Sequence, residues 1–385
     1  MADTRPSYEI EQEILGSSVR VTKRAEIRSL NGSMVIAEPK VVGGSLSVDA
    51  SRDERRSLSI EFPSDGLEIG PDGLWYDKQI VPYYGVETSA GSWEMQLGVF
   101  MVDKIDENRR DRKIAASCRD LTKLMLNAKL TLPVLYPAGT PVYDIIFTQA
   151  TLSGVHNMLL PWNSEESPTL AADTSFDVDT PRFNIVKTIA DAHAQEVFFD
   201  SFGYLVVREY QDPFLMPTVF DFRYGGTTGN VVSFTRSADD SELFNHVSVI
   251  GEREGNLPIF VDKKVTYPLS PVHESKIGDR VAPAYRSSLI PTEERAHRIA
   301  ERLLYTASLQ QYAIDLESIP VPWIEAGDVI GFIDPVDDSL PTKQGVDYGR
   351  GPTKWFLQSF DIPLGLGSMS IKAARLEVIF NGESA

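Results

Sequence analysis

Imidazole and thiol groups, the side chains most often recruited as nucleophiles, bases and metal ligands, are few in this chain: His156, His193, His246, His273, His297 and Cys118. No histidine stands at metal-site spacing from another His, Cys or Glu. His193 and His297 fall on expected helices and His246 at the start of an expected strand, so each reads as a structural or solvated residue. Cys118 follows Ala115, Ala116 and Ser117 in a strand-like run and reads as a small core residue rather than a nucleophile. A single cysteine excludes an internal disulfide. There is no Gly-x-Ser-x-Gly elbow. Gly225-Gly-Thr-Thr-Gly-Asn230 lacks the Lys-Ser/Thr of a phosphate loop, and Gly365-Leu-Gly-Ser-Met-Ser370 lacks the third glycine of a dinucleotide fingerprint. Both read as turns.

Carboxylates come in three clusters: Asp177 and Asp179; Asp239, Asp240 and Glu242; Asp334, Asp337 and Asp338. A glycosidase needs two carboxylates facing each other across a sugar, which spacing alone does not supply. The run from Asp177 is no EF-hand loop, because its sixth position is Arg182 and its twelfth Thr188. The clusters read as polar loop tips that keep sheet edges soluble. No catalytic, metal-binding or cofactor-binding residue is assigned, and no cofactor is expected. Trp75, Tyr76, Tyr83 and Tyr84 fall in a Gly/Pro/Asp-rich stretch. Exposed aromatics there would be surface contacts for a partner or a carbohydrate; the alternative is that they pack on the sheet below.

The elements that must carry these residues are mostly strands. With 385 residues, the chain is long enough for two or three domains. Its hydrophobic content of 42% and charged content of 24% are those of globular protein. No apolar run is long enough for a membrane span, so no membrane insertion is expected, and the first residues lack a signal-peptide core. A net charge of −18 argues against a protein that grips nucleic acid through its phosphates.

The fold class expected is α+β and mostly β, with two β domains flanking a smaller α+β domain. Residues 1–130 form the first β domain: Leu58, Ile60 and Phe62 alternate with Ser57, Ser59 and Glu61, and Trp93 to Val102 alternate likewise. Asp120 is placed to cap a helix over Leu121, Leu124, Met125 and Ala128. Residues 131–217 are α+β. A Pro/Gly linker from Leu132 to Thr140 leads to a helix opened by Thr140-Pro141, and Thr180-Pro181 opens a second. Val197 to Val207 is a hairpin turning at Asp200 to Gly203. Residues 218–385 return to β with a helical insert near 291–311, whose Ala296, Ile299, Ala300, Leu303 and Leu304 make one apolar stripe. Ile319 to Ile333, with Pro320 and Pro322, is expected to run extended. At Asn245 a polar turn becomes the strand that Gly251 ends.

Four stretches together resemble the tail-tip or baseplate hub proteins of long-tailed bacteriophages, of the siphophage minor-tail-protein type. They are Leu97-Gly-Val-Phe-Met-Val with Cys118-Arg-Asp-Leu-Thr-Lys-Leu124; Leu243-Phe-Asn-His-Val-Ser-Val-Ile-Gly251; Ile319-Pro-Val-Pro-Trp-Ile-Glu-Ala-Gly-Asp-Val329; and Ile362-Pro-Leu-Gly-Leu-Gly-Ser-Met369. Positions of structural weight in them are Gly98, Asp120, Asn245, Gly251, Pro320, Pro322, Gly327, Asp328, Pro363 and Gly365. The resemblance implies a structural virion protein and not an enzyme. It implies a homotrimer in which each chain carries two tail-tube-like β domains, matching a sixfold tube to a threefold tip. The echo between Leu97–Asp103 and Gly327–Asp334 fits that duplication. Implied partners are distal tail or tail-tube proteins, the tape-measure protein and downstream tip or fibre proteins, with DNA only passing through the lumen during ejection. The implied location is the virion tail tip, after assembly in the host cytoplasm. No appended lysozyme, peptidase or fibre domain is recognised, which implies a bare hub. Two alternatives stay open: a tail-tip protein that binds or hydrolyses cell-surface glycan, and a hub of a related injection system or gene-transfer particle.

Overall fold

Strand after strand alternates an inward and an outward side chain, so each covers a core with one face only. Arg56–Pro63 buries Leu58, Ile60 and Phe62 and turns Ser57, Ser59 and Glu61 outward. Lys113–Asp120 buries Ile114, Ala116 and Cys118 in the same way. The computed structural model describes residues 5–16, 19–226, 229–252, 257–309, 312–334, 353–376 and 379–380. Within them the fold is α+β and mostly β.

The main sheet draws on both ends of the chain. Eight strands follow one another in the order Val231–Ser237, Ala313–Ser318, Met369–Arg375, Thr353–Pro363, Gly43–Asp49, Arg56–Pro63, Lys113–Asp120 and Phe100–Asn108. Gln79–Thr88, Arg20–Arg28 and Val35–Ala37 continue it. The late and early strands meet where Ser359 to Pro363 pairs antiparallel with Asp49 to Ser45. One hydrophobic core lies beneath that junction, with Leu46, Val48, Leu58 and Ile60 from the early strands and Leu316, Phe360, Ile362 and Ile371 from the late ones.

A second core belongs to residues 121–209 with Val81, Val99 and Met101 of the main sheet and Leu289 from later in the chain. This middle unit is a tandem duplication. Val134–Tyr136 pairs antiparallel with Thr174–Phe176, centred on Leu135 opposite Ser175. Each short strand leads through Thr-Pro into a helix, Val142–Leu152 or Arg182–Ala192. The joining bonds are reciprocal. Leu130 N–H donates to Thr180 O (3.0 Å) and Leu170 N–H to Thr140 O (2.9 Å); Gly139 N–H donates to Leu170 O and Asp179 N–H to Leu130 O, both 2.9 Å. A local twofold axis therefore relates the two halves. The stretch expected as a Pro/Gly linker, 132–140, is thus part of a paired repeat. Both prolines sit at the N-cap, one place before the first helical residue. The hairpin Gln195–Phe199 with Leu205–Glu209 completes the unit.

A third core gathers residues 243–305: the strands Ile259–Lys264, His246–Gly251 and Tyr285–Ser287, covered by the helix Glu293–Ser308. Thr292 caps that helix, its hydroxyl accepting from Arg295 N–H at 3.2 Å, and Ala296, Ile299, Ala300 and Leu304 are buried. The described strands and helices of 218–385 therefore divide between the main sheet and this compact unit.

One expectation fails clearly. Ile319 to Ile333 is not one extended run; only Val329–Ile333 is strand. Asp328 accepts a hydrogen bond from Glu325 N–H (2.7 Å) and Gly327 adopts φ +100°, so a side-chain-held turn replaces the extended chain. Thr227, Thr228, Asp337 and Asp338, with positions 310–311 and 377–378 of the expected helix and last strand, lie outside the described residues.

Candidate channel face

The outward face of the eight-strand run has a composition of its own. Cross-strand partners form rows across it. One row reads Ser233, Glu317, Ser370, Asp361, Ser47, Ser57 and Arg119. A second reads Thr235, Asp315, Lys372, Ser359 and Asp49. A third runs from Ser45 through Ser59 and Ser117 to Lys104. Small hydroxyl side chains dominate, and no large apolar residue stands in these rows. Carboxylates outnumber cations. Arg119 is already paired with Glu54 (2.7 Å) and Asp103 (2.9 Å), and Asp49 with Arg52 (3.1 Å). Among the described residues Asp361 and Glu317 meet only hydroxyls on this face, Ser370 at 3.2 Å and Ser233 at 3.1 Å. Around Asp315, Glu317, Asp361 and Lys372 the face dips into an open hollow of about 380 Å³. It is thus a polar, short-side-chained, net acidic surface shared by both halves of the chain, ending at the Phe100–Asn108 strand, where Met101 pairs with Arg119 and is buried in the second core. Such a surface offers little for a polyanion to hold.

The core beneath keeps this face rigid. Cys118 is buried, and burial pushes its thiol up to about 12. Asp120, 1% exposed, accepts from Thr122 N–H (2.9 Å) and Arg56 N–H (3.0 Å), tying a helix start to the neighbouring strand. Burial outweighs those bonds and raises its carboxyl to about 6. Gly98 is fixed by space: a Cβ there would lie 2.4 Å from the fully buried Phe100 ring.

The remaining sequence-picked positions lie elsewhere. Asn245, 2% exposed, donates to Val272 O (2.9 Å) and Gly278 O (2.8 Å) and accepts from Arg280 N–H (2.8 Å). It anchors the 272–280 loop to the third unit, where Gly251 packs against Ile259 and Ile290. Pro320, Pro322, Gly327 and Asp328 lie in the turn segment beside the main sheet, and burial outweighs the Glu325 N–H bond and raises the Asp328 carboxyl to about 6. Pro363 ends its strand, and Gly365 O accepts from Lys23 Nζ at 2.5 Å. The four aromatics separate. Tyr84 is 3% exposed and cannot be a surface contact, because its strand position points into the core. Tyr83 lies under the Arg24 guanidinium (3.7 Å) and accepts from Arg28 at 2.8 Å. Only Trp75 and the half-exposed Tyr76 present an accessible ring pair, 4.8 Å apart.

Among the described residues the carboxylate clusters do not assemble. Asp240 pairs with Arg280 (2.8 Å), and Asp334 with Arg236 (3.1 Å). His193 is fully buried, which with the Arg295 charge lowers it to about 4. Among the described residues no three His, Cys, Asp or Glu side chains gather as a metal site, and no helix is long and apolar enough to cross a membrane. The face itself was the feature least visible beforehand. Its signal was the Ser-x-Ser alternation at 45/47 and 57/59, which marks an outward face without saying what it borders.

By sequence, no protein-family model and no curated protein matches this chain. Solved structures do. A tail protein from Neisseria meningitidis MC58 superposes with a TM-score of 0.63 at 14% identity, covering 93% of this chain and 98% of that one. The chain has the fold of phage tail proteins. The 43 kDa tail protein of prophage MuSo2 from Shewanella oneidensis follows, with TM-score 0.59 and 11% identity over 93% of this chain and all of that one. The E. coli c3393 protein matches with TM-score 0.51 and 10% identity over 95% of this chain and 79% of that one. It is a type VI secretion component described as similar to the T4 tail proteins gp27 and gp5. The tail-protein fold thus extends over more than nine-tenths of the chain.

Proposed function

We propose that this chain is a structural tail-tip hub of a long-tailed phage, of the siphophage type. It assembles as a homotrimer that adapts a sixfold tail tube to a threefold tip and forms part of the DNA channel. The observation that carries the reading is the pairing of Thr353–Pro363 with Gly43–Asp49, which sets two β halves side by side in one chain with a common polar face. Three such chains supply six halves. The serine and carboxylate rows become the channel wall, past which DNA and the tape-measure protein slide without adhering. Tail-tube proteins dock above, and tip or fibre proteins below. The location is the tail tip, reached after assembly in the host cytoplasm. The role is structural, not enzymatic, and the tail-protein fold of the solved structures supports it.

Light scattering tests this directly. The mass of three chains is expected, for the chain alone or once a tail-tube partner is co-expressed. A monomer under both conditions contradicts the reading. A second reading, contact with cell-surface glycan, rests on the Trp75–Tyr76 pair. Binding to host wall material that Trp75→Ala abolishes would favour it.

A further inference from the structure

Away from the channel face, a cleft of about 510 Å³ opens between the main sheet, the proline turn and the 195–209 hairpin. That volume lies in the range that encloses a ligand. Met95, Leu97, Phe198, Trp323 and Phe360 make its apolar walls. At the mouth Phe202 and Tyr204 are each 38% exposed, although their hairpin is otherwise well packed.

The polar groups of the cleft are unbalanced. Asp200, Glu325 and Asp328 supply three carboxylates, and Arg56 is the one cation in the lining. The Arg56 guanidinium is already engaged by Glu325 and by Leu97 O (3.0 Å). Glu325 Oε1, the Arg56 Nε–H and the Trp323 indole N–H are buried and have no partner among the described residues. The cleft is therefore short of one donor and two acceptors, and its three carboxylates against one cation favour a cation. Phosphates and nucleic acid are disfavoured by the same carboxylates. A peptide supplies what is missing: an N–H, a C=O, a large apolar side chain and a neighbouring positive charge.

We propose that this cleft binds an extended segment of a partner protein, seating one bulky apolar side chain and placing an adjacent Lys or Arg against Glu325 and Asp328. The assignment goes beyond the hub reading and does not depend on the trimer. The proline turn, which the channel role leaves unused, becomes the floor of the site. Trp323 is braced there by Trp93 (5.6 Å) and Phe220 (5.9 Å).

The test titrates the full chain with two capped dipeptides, acetyl-Trp-Arg-amide and acetyl-Trp-Glu-amide, followed by NMR. The arginine peptide is expected to bind about tenfold more tightly than the glutamate peptide, with shifts confined to the cleft. Glu325→Gln should shrink that preference to about twofold while the spectrum stays folded. Ser201→Trp, which fills the mouth without touching the Arg56 pair, should abolish binding of both peptides. Equal affinity for the two peptides, binding that survives Ser201→Trp, or no binding at about 5 mM overturns the proposal. A fall in the mass of the protein on adding peptide also overturns it, since a second copy would then be the occupant.

Discussion

Two seams hold this molecule together, and they are made of different material. Between the early and late strands the seam is main chain: the Gly43–Asp49 strand and the end of Thr353–Pro363 share a hydrogen-bonded ladder over one core. Between the main sheet and the middle unit no strand pairing crosses among the described residues. Side chains do the joining there. Arg55 pairs with Glu196 at 3.0 Å and lies 3.7 Å from the Phe198 ring centre. Lys187 meets Asp53 at 3.0 Å, and Gln96 donates to Ser201 O at 2.7 Å. Burial works against the Glu196 charge, yet Arg208 and Arg55 hold its carboxyl below the usual range. A ladder fixes register to the residue, because a slip of one place would turn every side chain to the other face. Ion pairs and ring contacts tolerate small shifts. The first seam suits a wall of fixed curvature, and the second joins the middle unit by side chains over a core shared with Val81, Val99 and Met101.

The largest effect should come from the ladder. Phe360→Ala, in the core beneath it, is expected to cost about 3–5 kcal/mol and to lower the melting temperature of the whole chain. A local loosening with unchanged global melting would show that the halves are separate after all. Arg55→Met at the second seam should cost about 3 kcal/mol, because Glu196 loses one of two cations in a buried place. Hydrogen exchange should then rise across 195–209 and stay protected in the main sheet. Uniform loss of protection would erase the distinction between the seams.

The third unit offers a separate test of packing, in a unit whose helix is itself joined to the hairpin by Arg295 and Arg298 at Glu209. Gly251→Val must fit atoms where Ile259 Cβ already lies 3.1 Å and Ile290 Cβ 3.4 Å from the nearest substituent position. About 2 kcal/mol of destabilisation is expected, seen first in 243–305. Unchanged melting would refute that packing argument.

The smallest effect is electrostatic. The Asp328 carboxyl holds its proton up to about 6, whereas an unfolded aspartate releases it near ~3.9. The native state is therefore favoured at low pH, and that contribution is lost as pH rises through about 6. Asp328→Asn keeps an acceptor for Glu325 N–H and removes the charge. The variant should gain about 1 kcal/mol over the parent at pH 8 and little at pH 4. A difference that does not vary with pH would mean that the site is better solvated than its burial implies.

Local signals made some of this fold legible and left its long-range joins unreadable. The stripe Ala296, Ile299, Ala300, Leu304 and the turn from Asp200 to Gly203 announce a helix and a hairpin because neighbours in sequence build them. The duplication was also within reach. Leu130 and Leu170, Thr140-Pro141 and Thr180-Pro181, and Ile145 and Ile185 repeat at a constant spacing. Proline was misread at 320 and 322, where a carboxylate–amide bond from Asp328 decides the turn. The pairing of Ser47 with Asp361 has no local signature, since nothing in either strand names its distant partner. The continuous polar face depends on that pairing, so its extent was invisible in the sequence.

The most direct test places a single reactive thiol on the serine rows. Ser59→Cys is exposed, while the native Cys118 is buried with its thiol pushed up to about 12, so a gold cluster should attach at residue 59 alone. Electron micrographs of the labelled assembly should show a threefold ring with gold inside the central hole. Gold on the outer rim of the ring would contradict the assignment of this face to the channel wall.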